Sequence, residues 1–352
     1  MKRFYGKIPG LFLILFIFSS CKNNSNQESK IVQEKKQTKE TQFALVLHGG
    51  AGSIKKEYFN AAQEKTYRDK LEEALNAGYI ILEKGGSSLE AVQKTINTLE
   101  DSPLFNAGKG AVLNSLGKVE MDASIMDGKT LNCGSVAGVS HIKNPINAAR
   151  VVMDSTRHVF LAGEGAEIFV NQKGVVLEDE DYFIIPKRVE QLKRIQRKGE
   201  KVGYLSPIDK MSDQKYGTVG CVALDKNGNI AAGTSTGGLM NKKFGRIGDS
   251  PIIGAGTYAD NNTCGVSCTG TGEYFIRTLA AHSVSDLLRY KNSDLNIALK
   301  DVLDRIQKLG GDGGMISLDK NGNIAWHFNT DGMFRAYKKS TGEKKVELYK
   351  TN

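Results

Sequence analysis

The octapeptide LDKNGNIA occurs twice, at residues 224–231 and 318–325. Asn-Gly between alternating apolar runs is the strongest short-range hairpin signal, because both central positions of a two-residue type I′ turn need positive φ. The C-terminal half is therefore committed to two antiparallel hairpins. Between them, GEYFIRTLAAHSVSDLLRY and LNIALKDVLDRIQKLGG each carry helical spacing. Strands, then helices, then strands, without βαβ alternation, point to an α+β fold with antiparallel sheets covered by helices.

The first hairpin can be registered from its turn. With Asn227 and Gly228 as a two-residue loop, Lys226 faces Asn229, and Thr218 falls opposite Gly237, beside Thr236. The two ends of the hairpin, Gly217-Thr218 and Thr234-Ser235-Thr236 with two glycines, thus meet.

The N-terminal half reads similarly. FALVLHGGAGS gives a buried strand from Phe43 to Leu47 ending in a glycine loop. A helix follows with Leu71, Leu75 and Ile81 or Leu82 near one face. Ser87-Ser88-Leu89-Glu90 has capping-box spacing and opens a second helix carrying Val92, Ile96 and Leu99. Residues 111–140 read as hairpin strands, and INAARVVMDSTRHVFLAGEGAEIFVNQKG as helix, turn, helix. From about 172 to 216 charges crowd in and periodicity decays, which predicts a mobile exposed segment with one short basic helix.

With 352 residues, 40% hydrophobic and 25% charged, core material is ample. The net charge of +9 gathers after Cys21 and within 187–215, which reads as solvated linker and excludes a nucleic-acid surface. The start, MKRFYGKIPGLFLILFIFSSCKNN, has basic residues and then an apolar run too short to span a bilayer. It predicts a signal peptide over 1–20, lipid modification of Cys21, and a disordered tether over 21–42. The chain is then an exported envelope lipoprotein that meets the membrane by its lipid only; a periplasmic or secreted soluble protein is the alternative. On a strand, Cys264 and Cys268 stand roughly 13 Å apart, beyond disulfide reach, and no Cys-x-x-Cys pair suggests zinc.

Chemistry concentrates at Thr218. A cut after Gly217 would free a threonine whose hydroxyl and α-amine share one residue, and that amine, with a reference pKa of about 7.7–8.0, can serve as base for its own hydroxyl. Arg246 and Asp249 lie close together downstream in GRIGDSP, supplying a guanidinium fork and an amine acceptor. SCTGTGEYFIR supplies a glycine-rich turn with backbone donors. DGKT at 127–130 is no phosphate loop, because Ala123 stands where the upstream glycine is required. His48 lacks a second histidine at ligand spacing and reads as a structural member of its glycine loop.

Taken in order, HGGAG, LFNAGKGAVLN, MDASIMDG, GTVGCVALDKNGNIAAGTSTGG, GRIGDSPIIGAGTYAD and SCTGTGEYFIR resemble the plant-type asparaginase and isoaspartyl peptidase family of N-terminal nucleophile hydrolases, from about residue 43 to 338. The resemblance implies a four-layer αββα sandwich over 43–352. Autocleavage would divide it into an α subunit, 43–217 with 172–217 as linker, and a β subunit, 218–352, assembling as an (αβ)2 heterotetramer. It assigns Thr218 as nucleophile, Thr236 as its supporting hydroxyl, and Thr269 and Gly270 as the oxyanion hole. Arg246 and Asp249 would bind the substrate's α-carboxylate and α-amine, with Gly272 and Asn106 beside them. No cofactor serves catalysis. A structural sodium loop would run through Leu99, Glu100, Ser102, Phe105, Ala107 and Lys109. Substrates would be asparagine and β-aspartyl dipeptides. Two rivals remain: glycosylasparaginase, whose Trp-bearing opening differs from His48-Gly49-Gly50, and an uncleaved noncatalytic binding lipoprotein.

Overall fold

The computed structural model describes residues 42–197 and 217–350. In chain order the elements are β1 (Ala44–Gly52), α1 (Ala61–Glu83), α2 (Ser88–Glu100), β2 (Met121–Asp127), β3 (Cys133–Val139), α3 (Pro145–Ser155), β4 (Phe160–Ala162), α4 (Gly163–Asn171), α5 (Glu180–Phe183) and α6 (Pro186–Arg197). Then come β5 (Val219–Leu224), β6 (Ile230–Thr236), β7 (Thr257–Ala259), β8 (Cys264–Gly270), α7 (Gly272–Thr278), α8 (Ala280–Lys291), α9 (Leu295–Lys308), β9 (Gly313–Asp319), β10 (Ile324–Phe328), β11 (Gly332–Lys339) and β12 (Lys344–Tyr349).

Eight strands form one sheet in the order β12-β11-β1-β5-β6-β2-β3-β4, and four form a second, β10-β9-β8-β7. All pairings are antiparallel except the edge pair β3–β4, which is parallel. α1, α2 and α3 cover the first sheet, α8 and α9 the second, and β1, β5 and β6 face β8 and β9 across the middle, giving four αββα layers. This layering explains why FALVL reads as a continuous apolar run. On β1, Leu45 and Leu47 pack among the helices with Leu71, Leu75 and Ile96. Ala44 and Val46 point the other way, into the inter-sheet core with Val222, Ile316 and Leu318. A strand buried on both faces shows no alternation.

The helix starts follow the sequence closely. Asn60 caps α1 and Ser87 caps α2, each in a reciprocal capping box. Elsewhere the structure corrects the expectation. The stretch 272–290 is two helices, broken at Leu279 in the left-handed region (φ 45°). The break turns the first N–H groups of α8 toward loop carbonyls, Ala281 N–H to Ala255 O at 3.1 Å and His282 N–H to Gly254 O at 2.9 Å, so they are satisfied without a preceding turn.

The segment from 172 is also no loose linker as far as it is described. Glu178 N–H donates to His141 O at 2.7 Å, and Arg188 Nε donates to Gly110 O at 3.1 Å. Phe183, Leu192 and Ile195 are buried. One apolar position per helical turn was enough to dock α6, although the charges between them hid the pattern. Residues 198–216, the predicted signal peptide, Cys21 and the tether through Thr41 lie outside the described residues.

The hairpin register shifts by one. Leu224 pairs with Ile230 and Val219 with Ser235. Asp225 N–H donates to Asn229 O at 3.0 Å, so the loop holds three residues, 226–228, with Gly228 at φ 78°. The Asp225 carboxylate decides this, accepting the N–H groups of Asn227 at 2.9 Å and Asn229 at 3.0 Å. The second copy does the same: Asp319 accepts from Asn321 and Asn323, and Leu318 pairs with Ile324. The motif is a type I turn followed by a left-handed glycine, not a two-residue turn.

Candidate active site

The shifted register carries Thr218, the residue before β5, level with Thr236, the last residue of β6. Their side chains meet: Thr218 Oγ1 donates to Thr236 Oγ1 at 3.1 Å. Both are nearly sealed, at 6% and 3% exposure. Thr236 Oγ1 also accepts from Gly238 N–H at 3.0 Å. With both acceptor positions of Thr236 in use, the Thr218 hydroxyl is held in one direction.

Asn106 braces the turn that follows. Its carbonyl accepts from Gly237 N–H at 3.1 Å, its Nδ2 donates to Gly238 O at 2.8 Å, and its Oδ1 accepts from Val112 N–H at 2.9 Å. A Cβ on Gly237 would stand 2.5 Å from that Oδ1. Asn106 thus supports the Thr236 turn rather than standing apart as a binding group.

Gly217 is squeezed between two other segments. A Cβ on Gly50 would lie 2.6 Å from both the nitrogen and the oxygen of Gly217, and one on Gly217 would lie 2.6 Å from Thr269 Oγ1. Thr269, near the end of β8, accepts weakly from Ala51 N–H at 3.4 Å. The glycines of HGGAG therefore serve close approach to the bond before Thr218. Gly270 follows, packed so that a Cβ would stand 2.4 Å from Asp312 O.

The first residue of α7, Gly272, lies against Asp249: a Cβ there would be 2.8 Å from Asp249 N and Oδ1. Asp249 is 3% exposed, and its Oδ2 has no hydrogen-bond partner. Burial pushes its pKa up from 3.8 to about 6, with the Arg246 guanidinium pulling the other way. A sealed carboxylate with an unused oxygen is primed to accept a cation.

Arg246 has a protein partner. Its Nε and Nη2 donate to the two carboxylate oxygens of Glu273, both at 2.9 Å. Glu273 was missed, although it lies within SCTGTGEYFIR, because an acid beside a predicted glycine turn looks like an ordinary helix-start residue. His48 was also underread. It lies in β1, fully buried, with Nδ1 3.0 Å from the main-chain oxygen of Thr218 and Nε2 2.9 Å from Ser267 Oγ. Burial lowers its pKa to about 3, against the opposing bond to Thr218 O.

Among the described residues no cluster of His, Cys, Asp and Glu could hold a metal. Main-chain oxygens are another matter. A Cβ on Gly108 would stand 2.5 Å from Glu100 O, and one on Gly110 would stand 2.0 Å from Phe105 O and 2.9 Å from Ser102 O. Gly108 and Gly110 thus pack directly against main-chain oxygens of the 99–110 loop, where a side chain would not fit. The Glu100 carboxyl turns away to Ser235 Oγ and Ile146 N–H, and burial pushes its pKa up to about 8. Cys133, Cys221, Cys264 and Cys268 are free thiols.

Four αββα layers with two antiparallel-rich sheets make the fold of the N-terminal nucleophile hydrolases. Residues 41–348 match the Asparaginase family, and the chain belongs to it. It is 47% identical over 294 residues to an isoaspartyl peptidase of Salmonella typhimurium, covering 83% of this chain and 94% of that one. The isoaspartyl peptidase of Escherichia coli is 46% identical, with 83% and 92% covered. A plant-type L-asparaginase of Pyrococcus horikoshii is 45% identical over 306 residues, with 84% and 96% covered.

These matches also correct the expected localisation. The relatives are named as isoaspartyl peptidases and plant-type asparaginases, and the family match takes in 41–348 while leaving the leader-like segment outside. The exported envelope lipoprotein read from Cys21 is withdrawn.

Proposed function

We propose that the chain hydrolyses the side-chain amide of N-terminal β-aspartyl peptides and of asparagine, with Thr218 as nucleophile. The observation that carries this is the sealed Thr218–Thr236 hydroxyl pair, with Gly217 pressed against Gly50 and Thr269; the unsatisfied Asp249 carboxylate beside Gly272 supports it. The names of the relatives support the substrate class and favour it over glycosylated asparagine and over a noncatalytic binding protein.

Maturation comes first. Thr218 Oγ1 attacks the carbonyl of Gly217, the Gly217–Thr218 C–N bond breaks, and the resulting ester hydrolyses, leaving the part of the chain that ends at Gly217 as one subunit and 218–352, opening on a free α-amine, as the other. That amine then takes the hydroxyl proton, with Thr236 donating to the developing alkoxide. Asp249 accepts the substrate's ammonium, and Arg246 turns from Glu273 to pair with its α-carboxylate. Thr218 attacks the side-chain carbonyl, the oxyanion forms against Thr269 and Gly270, ammonia or an amine leaves, and water releases aspartate from the threonyl ester. The carbonyls of Leu99, Glu100, Ser102, Phe105, Ala107 and Lys109 hold a structural sodium ion, and the cleaved pair assembles as (αβ)2. Purified protein run on a denaturing gel, then assayed with β-aspartyl dipeptides, asparagine and glycosylated asparagine, tests this: a single uncleaved chain that hydrolyses β-aspartyl dipeptides would sink it.

A further inference from the structure

His48 touches neither Arg246 nor Asp249, yet it holds the nucleophile's own peptide group. Its cross-strand partner is Gly220, where a Cβ would stand 2.4 Å from Nε2 and 1.9 Å from Ser267 Oγ. The missing side chain makes the space that the imidazole fills. Thr218 O is an acceptor only, so at 3.0 Å the Nδ1 atom must carry the proton. In the neutral ring Nε2 is then an acceptor, and Ser267 must donate to it.

Beyond it, Ser267 Oγ lies 2.7 Å from Thr234 Oγ1, which also donates to the Gly256 carbonyl at 3.1 Å. Thr257 Oγ1 in turn donates to Thr234 at 2.5 Å. Ser124 Oγ ends the chain, lying 2.8 Å from Thr257 Oγ1 and 2.6 Å from Ser250 O, beside Asp249. His48, Ser124, Thr234, Thr257 and Ser267 are all 0% exposed, so no bulk water offers another donor.

We propose that His48 is a positioning residue for Thr218: its single bond from Nδ1–H to the Thr218 main-chain oxygen sets the plane of the Thr218 peptide group. The plane fixes the Cα of Thr218 and with it the direction of both the hydroxyl and the amine freed by cleavage. The inference rests on Thr218 being the nucleophile.

The first test needs no substitution. The protein has five histidines, so 15N-histidine labelling of the cleaved wild-type protein gives a tractable spectrum. Between about pH 5 and 8 the His48 signal is expected as neutral imidazole protonated on Nδ1; protonation on Nε2 overturns the proposal, and this readout stands even where variants fail to fold. Two substitutions then separate the ring's two contacts. Asn places an amide where Nδ1 stood and keeps the bond to Thr218; Gln reaches Ser267 instead. His48→Gln should lose roughly a hundred-fold in kcat with KM little moved, and His48→Asn should lose no more than about ten-fold, because a misplaced reacting group costs on that order. Equal activities would overturn the proposal. Failure of the underlying reading looks different: Thr218→Ala would keep its hydrolytic activity whatever His48 does.

Discussion

Arg246 and Glu273 are joined by a bidentate pair with both N···O distances at 2.9 Å, on the guanidinium edge that a substrate carboxylate would use. The resting site therefore holds a carboxylate of its own where the substrate's must go. With the Glu273 side chain 45% exposed, this pair contributes less than about 1 kcal/mol. Glu273→Gln is thus expected to lower KM for asparagine and β-aspartyl dipeptides by up to about five-fold. A rise in KM would show that Glu273 aims the guanidinium rather than competing for it.

Asp249 sets the acid limb of the pH profile. Its native pKa of about 6 stands above the ordinary 3.8, so the free enzyme binds substrate ammonium only once the carboxylate has ionised. kcat/KM, which reports the free enzyme, should fall as pH drops through about 6, while kcat falls at lower pH because bound ammonium stabilises the ionised form. An acid limb near 4 in kcat/KM would contradict the burial argument.

The same shift has a stability cost with a definite sign. A raised carboxyl pKa means that the native state holds the proton more tightly than the unfolded chain. The penalty is therefore absent below pH 3.8, grows through the interval up to about 6, and is fully present above it. Asp249→Asn should raise the stability at pH 7 by about 1–3 kcal/mol while cutting kcat/KM at least about ten-fold. Paired thermal melts at pH 4 and pH 7 would check it, since the gain should vanish at the lower pH.

Blocking the substrate's own charges should be as damaging. N-acetylated β-aspartyl peptides lose the group that Asp249 accepts, and α-linked Asp-X peptides lose the carboxylate that Arg246 needs. Each change costs on the order of 1.5–3 kcal/mol, or about ten-fold or more in kcat/KM. Efficient turnover of the acetylated peptide would remove Asp249 from the site.

Thr236→Val leaves the fold's shape and removes the hydroxyl to which Thr218 donates. Cleavage after Gly217 and turnover by the mature protein should both slow by roughly ten- to a hundred-fold, read as band appearance on a gel and as kcat. Cleavage at the wild-type rate would mean that the 3.1 Å contact orients nothing.

Much of this site was legible because it rests on local chemistry. Ser87 and Glu90 announce α2 through a cap that needs no tertiary partner. Residues 43–47 announce a central strand by being apolar without alternation. The Thr218–Thr236 meeting was readable from the hairpin alone, though one residue out, because Asp225 recruits the loop backbone in a way the Asn-Gly signal does not show. The Arg246–Glu273 and His48–Thr218 contacts were not legible, since each joins segments whose approach depends on where whole elements stop. Docking of α6 was hidden for a different reason: its few buried side chains are diluted by charges that stay in water.

The three-residue loop at 226–228 lies at one end of the β5–β6 ladder and Thr218 at the other, about 20 Å away by strand rise. Every rung transmits the loop's count without loss, so the ladder works as a ruler whose zero is Asp225. Adding or removing one residue at the exposed tip would slide β6 by one step, turn each of its side chains to the other face, and set Ser235, or Gly237 with no side chain, opposite Thr218. A chain of this design can vary Lys226 and Asn227 in that distant turn, but it cannot vary the number of residues there.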